Sequence, residues 1–209
     1  EKVNAADPDL IIVAGRSSSA YAELSKIAPT VDLSVDNENF LDSFRERTKP
    51  LGTIFGKEEE LAKRLDALEP EAQKVTKQAE ASGLNGLIVL TTGGKLSAYG
   101  PGSRFGIIHD ELGVAPAEKG LSTATHGNPV SHEFIAEVDP DVLYVIDRDA
   151  AIGRSGESAK QVLDNPLVNG TSAAGNDRIV YLDAFTWYLA PTGLSSVEKM
   201  TQTVATGLS

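Results

Sequence analysis

Residues 139–148 read Asp139-Pro140-Asp141-Val142-Leu143-Tyr144-Val145-Ile146-Asp147-Arg148, and residues 7–16 read Asp7-Pro8-Asp9-Leu10-Ile11-Ile12-Val13-Ala14-Gly15-Arg16. Each stretch opens on Asp-Pro-Asp, continues through an unbroken apolar run and reaches an arginine at the same offset. Such a run bounded by turn residues reads as a strand buried on both faces, the kind that parallel sheets carry between helical layers. Two strands with one signature predict two similar α/β units. Each delivers an arginine from the carboxyl end of an equivalent strand, the edge at which open α/β sheets take their ligands.

Between the copies, Lys57 to Ala81 is rich in Glu, Lys, Ala, Leu and Gln, and Leu61, Leu65, Leu68, Ala72 and Val75 recur near helical spacing. This predicts one long helix, with Pro70 kinking or splitting it. Phe40, Leu41, Phe44, Leu51, Ile54 and Phe55 predict an earlier helix interrupted near Pro50-Leu51-Gly52. From Leu84 the pattern becomes α/β. Strands are expected at 87–91, 96–99, 142–146 and 179–182, and helices at 104–112, after Ser131, near 158–163 and at 193–206, which together make a full three-layer lobe. The N-terminal portion offers only a strand at 10–14, a helix near 19–27, a short strand at 30–33 and the helix after Glu38. That is too little to close a sheet with both faces covered. The expected fold class is α/β, with two three-layer lobes joined by a single long helix and the N-terminal lobe incomplete. Residues 1–56 form the remainder of that lobe, 57–82 the inter-lobe helix and 83–209 the C-terminal lobe.

Composition narrows the function. The 209 residues are 41% hydrophobic and 23% charged, which fits a packed globular chain. A formal net charge of −11 argues against nucleic acid, whose phosphates require a positive surface. A small anionic ligand is compatible with it, because a few converging arginines set the potential of a cleft against the global sign. With no cysteine, disulfides, thiolate metal sites and thiol catalysis are excluded. No Gly-x-Ser-x-Gly elbow, phosphate loop or dinucleotide fingerprint occurs, which leaves an enzyme of α/β-hydrolase type, with His126 beside Asp147 or Glu133, as the weaker alternative.

The segments Pro8-Asp9-Leu10-Ile11-Ile12, Ile27-Ala28-Pro29-Thr30, Gly100-Pro101-Gly102-Ser103-Arg104-Phe105-Gly106, Thr125-His126-Gly127 and Trp187-Tyr188-Leu189 together resemble the solute-binding proteins of iron ABC importers whose two lobes are joined by a long helix. Within that class the chain resembles the enterochelin-uptake type, which binds ferric catecholate siderophores. The resemblance runs through the whole chain in the same motif order, and family members carry further residues ahead of the position of Glu1. It implies a non-enzymatic, extracytoplasmic binding protein, periplasmic or lipid-anchored at the cell surface. The implied partners are the ferric siderophore and the permease subunits of the importer, with no intrinsic cofactor and a monomeric state. Haem, cobalamin or a hydroxamate siderophore are the alternative cargoes.

A ferric catecholate is bulky, aromatic and anionic, so its receptor needs cations and ring surface. Arginine supplies a planar fork for charge-assisted hydrogen bonds and can also stack on rings. By motif the resemblance assigns three cleft arginines to Arg16, Arg104 and Arg148. It assigns His126 and Tyr188 as direct ligands to the iron of a tetradentate siderophore, a role open to an imidazole nitrogen and a phenolate oxygen. Tyr99 and Trp187 are candidate aromatic walls, with Tyr21 behind them; His109 and His132 read as structural. Glu23, Asp36, Glu38, Glu157 and Asp164 are acidic material for docking an importer.

Overall fold

The computed structural model describes residues 2–209. Both Asp-Pro-Asp motifs form the same local device. Asp7 and Asp139 adopt left-handed backbone, with φ of 45° and 46°. A short α1 (Lys2–Ala5) precedes the first motif, and α6 (His132–Val138) ends on the second. Aspartate tolerates this conformation at a helix end better than most side chains, and the proline that follows cannot continue the helix. The chain then enters β1 (Ile11–Val13) in the first copy and β7 (Val142–Asp147) in the second. Each strand runs into a helical turn that carries its arginine: a 3₁₀ turn at Gly15–Ala20 for Arg16, and α7 (Arg148–Ala151) for Arg148.

The large sheet pairs in the order β6-β4-β3-β7-β8, with a short β5 added beside β3. Its members are β3 (Asn85–Thr92), β4 (Lys95–Tyr99), β5 (Ala115–Pro116), β6 (Asn128–Val130), β7 and β8 (Ile179–Leu182). Strands β3, β7 and β8 are parallel, whereas the hairpin strand β4 and then β6 pair antiparallel, so the sheet is mixed. Alternate residues of the central strands feed separate cores. Leu87, Val89, Leu143 and Val145 face α6, α8 (Ala159–Leu163) and the short helices α9 (Pro166–Asn169) and α10 (Ser172–Gly175). Ile88, Leu90, Tyr144 and Ile146 face the long helices on the other side. Both faces are covered, which gives the three layers expected.

Those long helices are α3 (Phe40–Phe55), α4 (Glu58–Ser82) and the C-terminal α11 (Leu194–Gly207). Neither internal proline splits its helix: Pro50 lies inside α3 and Pro70 inside α4. Pro70 costs roughly 3 kcal/mol in a helix interior. Burying a large apolar side chain returns about 1.5–3 kcal/mol, and α4 buries Leu65, Leu68 and Val75 along with Ala72 and Ala79. Packing therefore outweighs the break that local preference predicts. Arg45 ties the two helices together beside Pro70, donating to the Leu65 carbonyl at 3.0 Å and the Asp66 carboxylate at 2.6 Å.

The N-terminal part is small. Strand β1 pairs in parallel with β2 (Thr30–Asp32), α2 (Tyr21–Leu24) connects them, and the core there consists of Ile11, Val13 and Ala28 backed by Leu24 and Ile27. Phe40 and Phe44 of α3 belong instead to the large core. The helix expected over 104–112 shrinks to α5 (Ile107–Asp110), with turns at 104–106 before it and at 111–112 after it. Arg104 thus sits on a turn ahead of α5. Among the described residues, no helix is long and apolar enough to cross a membrane.

Candidate ligand-binding site

Tyr188 is the residue at which Arg104 and Arg148 meet. It lies on a π-helical turn (Phe185–Leu189) that follows β8, closed by the Ala190 N–H donating to the Phe185 carbonyl at 2.9 Å. Asp183 starts this turn by accepting the Thr186 N–H at 2.8 Å. The wider π turn holds Thr186 and Trp187 inward, Tyr188 half-buried, and Phe185 and Leu189 61% and 51% exposed. Single π turns of this kind recur at functional sites.

Three arginines from separate parts of the chain meet this tyrosine. Arg148, at the carboxyl end of β7, donates from Nε to the Tyr188 hydroxyl at 2.7 Å. Arg104 places its guanidinium carbon 4.6 Å from the Tyr188 ring centre and 4.7 Å from that of Phe105, and donates from Nη2 to the Tyr188 carbonyl at 3.3 Å. Arg16, on the turn after β1, adds its pull on the same phenol, lowering the pKa along with the other two arginines. Burial of the ring acts to raise the phenol's pKa. It is outweighed by the Arg148 hydrogen bond, the charges of Arg148 and Arg104 and the pull of Arg16, so Tyr188 sits below the usual tyrosine range. The arginines are poorly neutralised, since the nearest carboxylate to Arg148, Asp149, stays 4.0 Å away.

Tyr99 lies beneath this cluster. It is only 3% exposed and packs edge-on to Phe105 at 4.8 Å between ring centres. Desolvation raises its pKa against the charges of Arg104, Arg16 and Arg148, which places all three arginines within electrostatic reach of its hydroxyl. Tyr99 is therefore floor rather than wall. Gly127 rests on it with φ +70°, so the ring supports the turn that carries the exposed His126. Trp187 departs from expectation: at 1% exposure it packs in the large core, where its ring has no face to offer a ligand. His109 and His132 are structural, bonding the carbonyls of Val114 and Val162 at 2.8 Å each.

Sequence reasoning missed the residues that hold these side chains. Thr92 accepts from Arg148 Nη1 at 3.1 Å, and the Asp110 carboxylate accepts the Gly102 N–H at 2.6 Å in the turn bearing Arg104. Neither lies in a motif, and only the offset of Asp110 from the glycine-rich turn hints at its role. Two concavities of about 480 and 550 Å³ lie elsewhere, one around Tyr21, Asp32 and Arg47 and the other around Lys160, Asp164 and Tyr181. Neither gathers several cations. No cluster of three or more histidines and carboxylates able to hold a metal occurs among the described residues.

Arg148 at the carboxyl end of β7, Arg16 after β1 and Arg104 on a turn supply a receptor's cations from separate parts of the fold, and the chain belongs to the periplasmic binding protein family, whose model matches residues 1–185. It is 44% identical over 208 residues to the petrobactin-binding protein YclQ of Bacillus subtilis, covering all of this chain and 65% of that protein. The crystal structure of YclQ superposes with a TM-score of 0.92, covering 99% of this chain and 72% of that one. Identity to the ferric-anguibactin-binding protein FatB of Vibrio anguillarum is 32%, over 99% of this chain and 66% of FatB. The periplasmic catecholate-siderophore binding protein VctP of Vibrio cholerae superposes with a TM-score of 0.89 at 28% identity, covering 97% of this chain and 73% of VctP. The chain thus spans less than two thirds of the length of the curated relatives it matches. These relatives are named as binding proteins.

Proposed function

We propose that this chain belongs to an extracytoplasmic receptor that captures a ferric catecholate siderophore at Arg16, Arg104, Arg148 and Tyr188 and delivers it to the permease of an ABC importer. The observation that carries this reading is the meeting of the Arg148 and Arg104 guanidiniums at the Tyr188 phenol, with Arg16 acting on the same group, in a protein of net charge −11. Placing like charges together is unfavourable unless an anion is to be met there, and catecholate oxygens supply it. The names of YclQ and VctP, which bind petrobactin and catecholate siderophores, support the same class of cargo.

On this reading the small sheet of β1 and β2 is part of one lobe, the large sheet forms the other, and the helix at 58–82 connects them. The ligand sits between Arg16 on one side and Arg104 and Arg148 on the other. His126 and Tyr188 take the open iron positions of a tetradentate cargo. The acting form is a monomer, periplasmic or lipid-anchored at the cell surface.

The test is a titration of the protein, followed by tryptophan fluorescence, with ferric complexes of a tetradentate bis-catecholate, a hexadentate tris-catecholate and a hydroxamate. Replacing Arg104 or Arg148 by Met should weaken catecholate binding roughly 10-fold or more, the worth of a charge-assisted hydrogen bond. His126→Ala and Tyr188→Phe should weaken the bis-catecholate selectively, and the Tyr188 variant should lose a phenolate-to-iron charge-transfer band. Preference for the hydroxamate, or catecholate affinity untouched by the arginine variants, would sink the assignment.

A further inference from the structure

Arg148 is held from behind as well as from the front. Its Nη1 donates to Thr92 Oγ1 at 3.1 Å, and that hydroxyl donates in turn to Asp149 Oδ1 at 3.1 Å. The second Asp149 oxygen accepts the Gly93 N–H. Thr92 ends β3, and Gly93 and Gly94, both with positive φ, make the tight turn into β4. One line of hydrogen bonds therefore runs from the β3–β4 turn through Asp149, Thr92 and Arg148 to the Tyr188 hydroxyl. Asp149 is 6% exposed. Its carboxyl is held below the usual range first by the Gly93 N–H, against desolvation, and then by the Thr92 hydroxyl and the charges of Arg154 and Arg148.

The arrangement has a physical purpose. A free arginine side chain gives up rotamer entropy when fixed. Mutual repulsion within a group of guanidiniums also favours turning each one out to solvent. A carboxylate forked directly onto Arg148 would hold it but would also neutralise it. The hydroxyl between them orients the fork and keeps the carboxylate at 4.0 Å. The other two arginines show a related device. Asp110 accepts the Gly102 N–H in the turn of Arg104. Asp32 accepts the Ser18 and Ser34 hydroxyls, and the Ser34 oxygen accepts the Gly15 N–H beside Arg16. Each carboxylate is committed to the loop that carries an arginine rather than to the arginine itself.

We propose that Thr92 and Asp149 are positioning residues of the ligand site, fixing the Arg148 guanidinium so that Nε faces the Tyr188 oxygen while its charge stays available to an anion. The charge's use rests on the siderophore reading; the positioning does not. The Arg148 Nε–H should therefore give a slowly exchanging resonance in nitrogen-15 NMR of the ligand-free protein, assigned by its loss in Arg148→Lys. Thr92→Val, which keeps the shape and removes the relay, and Asp149→Asn should each release it to fast exchange with the backbone amide spectrum preserved, and Thr92→Ser should restore it. Persistence of the protected resonance in both Thr92→Val and Asp149→Asn overturns the proposal, and if Thr92→Val does not fold, the Asp149→Asn comparison decides. In titrations with the ferric bis-catecholate, Thr92→Val should bind roughly 3- to 10-fold more weakly and Thr92→Ser within about twofold of wild type, as expected for loss or retention of one hydrogen bond. Wild-type protein that binds no ferric catecholate would refute the cargo, and the resonance would still decide the positioning.

Discussion

Gly127 joins the fold to the site, and replacing it by alanine is the sharpest stability test of the arrangement. A Cβ there would stand 2.7 Å from Tyr99 Cζ, 2.8 Å from Tyr99 Cε2 and 2.8 Å from the Ala98 carbonyl oxygen. The ring cannot swing aside, since it is buried and packed edge-on to Phe105. The carbonyl cannot retreat without disturbing β4, where Ala98 pairs with Val89 on one side and Asn128 on the other. Two penalties add. A non-glycine residue in left-handed backbone costs about 1–2 kcal/mol, and overpacking costs about 1–3 kcal/mol. Their sum is about 2–5 kcal/mol, a large part of the stability of an ordinary domain.

The structure supplies its own controls. Gly153 has φ +64° with nothing within 4 Å of an added Cβ, so Gly153→Ala isolates the backbone cost. Gly156 is open and not left-handed, so Gly156→Ala should be nearly silent. Urea denaturation should rank the variants Gly127→Ala, Gly153→Ala, Gly156→Ala in order of falling cost, with the first exceeding the second by at least about 1 kcal/mol. Equality of the first two within about 0.5 kcal/mol would mean that Gly127 is not pressed on Tyr99, and the support inferred for the His126 turn would fall with it.

Phe44 is 1% exposed in the core shared by α3, α4 and the large sheet, so Phe44→Ala should cost about 3–5 kcal/mol in the same assay. A cost under 1 kcal/mol would detach α3 from that core. The His109 imidazole is held below its ordinary value by burial, opposed by its bond to Val114, so the unfolded chain binds the proton first. Its contribution is thus complete above about pH 6.5 and is lost as pH falls below that value, by at most about 1.4 kcal/mol per pH unit. His109→Gln should flatten the slope of stability against pH between 7 and 5, and an unchanged slope would remove His109 as its source. Arg64 donates to both oxygens of Glu198 at 3.0 and 2.7 Å, linking α4 to α11, but more than a third of its side chain is exposed. Arg64→Ala should therefore cost no more than about 1 kcal/mol and less in high salt, as chemical denaturation at two ionic strengths would read.

The sequence disclosed most about the elements that local chemistry determines. The duplicated Asp-Pro-Asp motif was legible because its parts act locally: an aspartate takes the left-handed turn, a proline stops the helix, and an apolar run becomes a buried strand. The same duplication located Arg16 and Arg148 at equivalent strand ends. What it could not give was decided by packing at a distance. Pro50 pointed to an interrupted helix and Pro70 to a kink or split in one long helix, and the buried faces of α3 and α4 kept each continuous. Trp187 and Tyr188 are adjacent and equally aromatic, yet a π turn sends one into the core and leaves the other at the arginines. No pattern of period 2 or 3.6 predicts that division. Thr92 and Asp110 escaped notice because threonines and aspartates at turns are common, and their meaning lies in contacts that only the folded chain makes.

The charge of the whole chain and the charge of the site then follow one logic. At physiological ionic strength the field of exposed charges fades over about 8 Å, so the −11 total bears little on what a ligand feels once it touches Tyr188. Within that range the arginines dominate, and their charge stays available to a ligand because the nearby aspartates are occupied by backbone N–H groups and hydroxyls. In the ligand-free protein the Tyr188 oxygen and ring are what these guanidiniums face. A phenol offers one oxygen and a ring face, the same pair of features that a catecholate offers with more charge. The arginines are thus already arranged around a weaker version of the proposed ligand. A neutral hydroxamate complex would relieve less of the repulsion among the arginines than an anionic catecholate complex does, which is the physical basis for ranking the two cargoes as proposed.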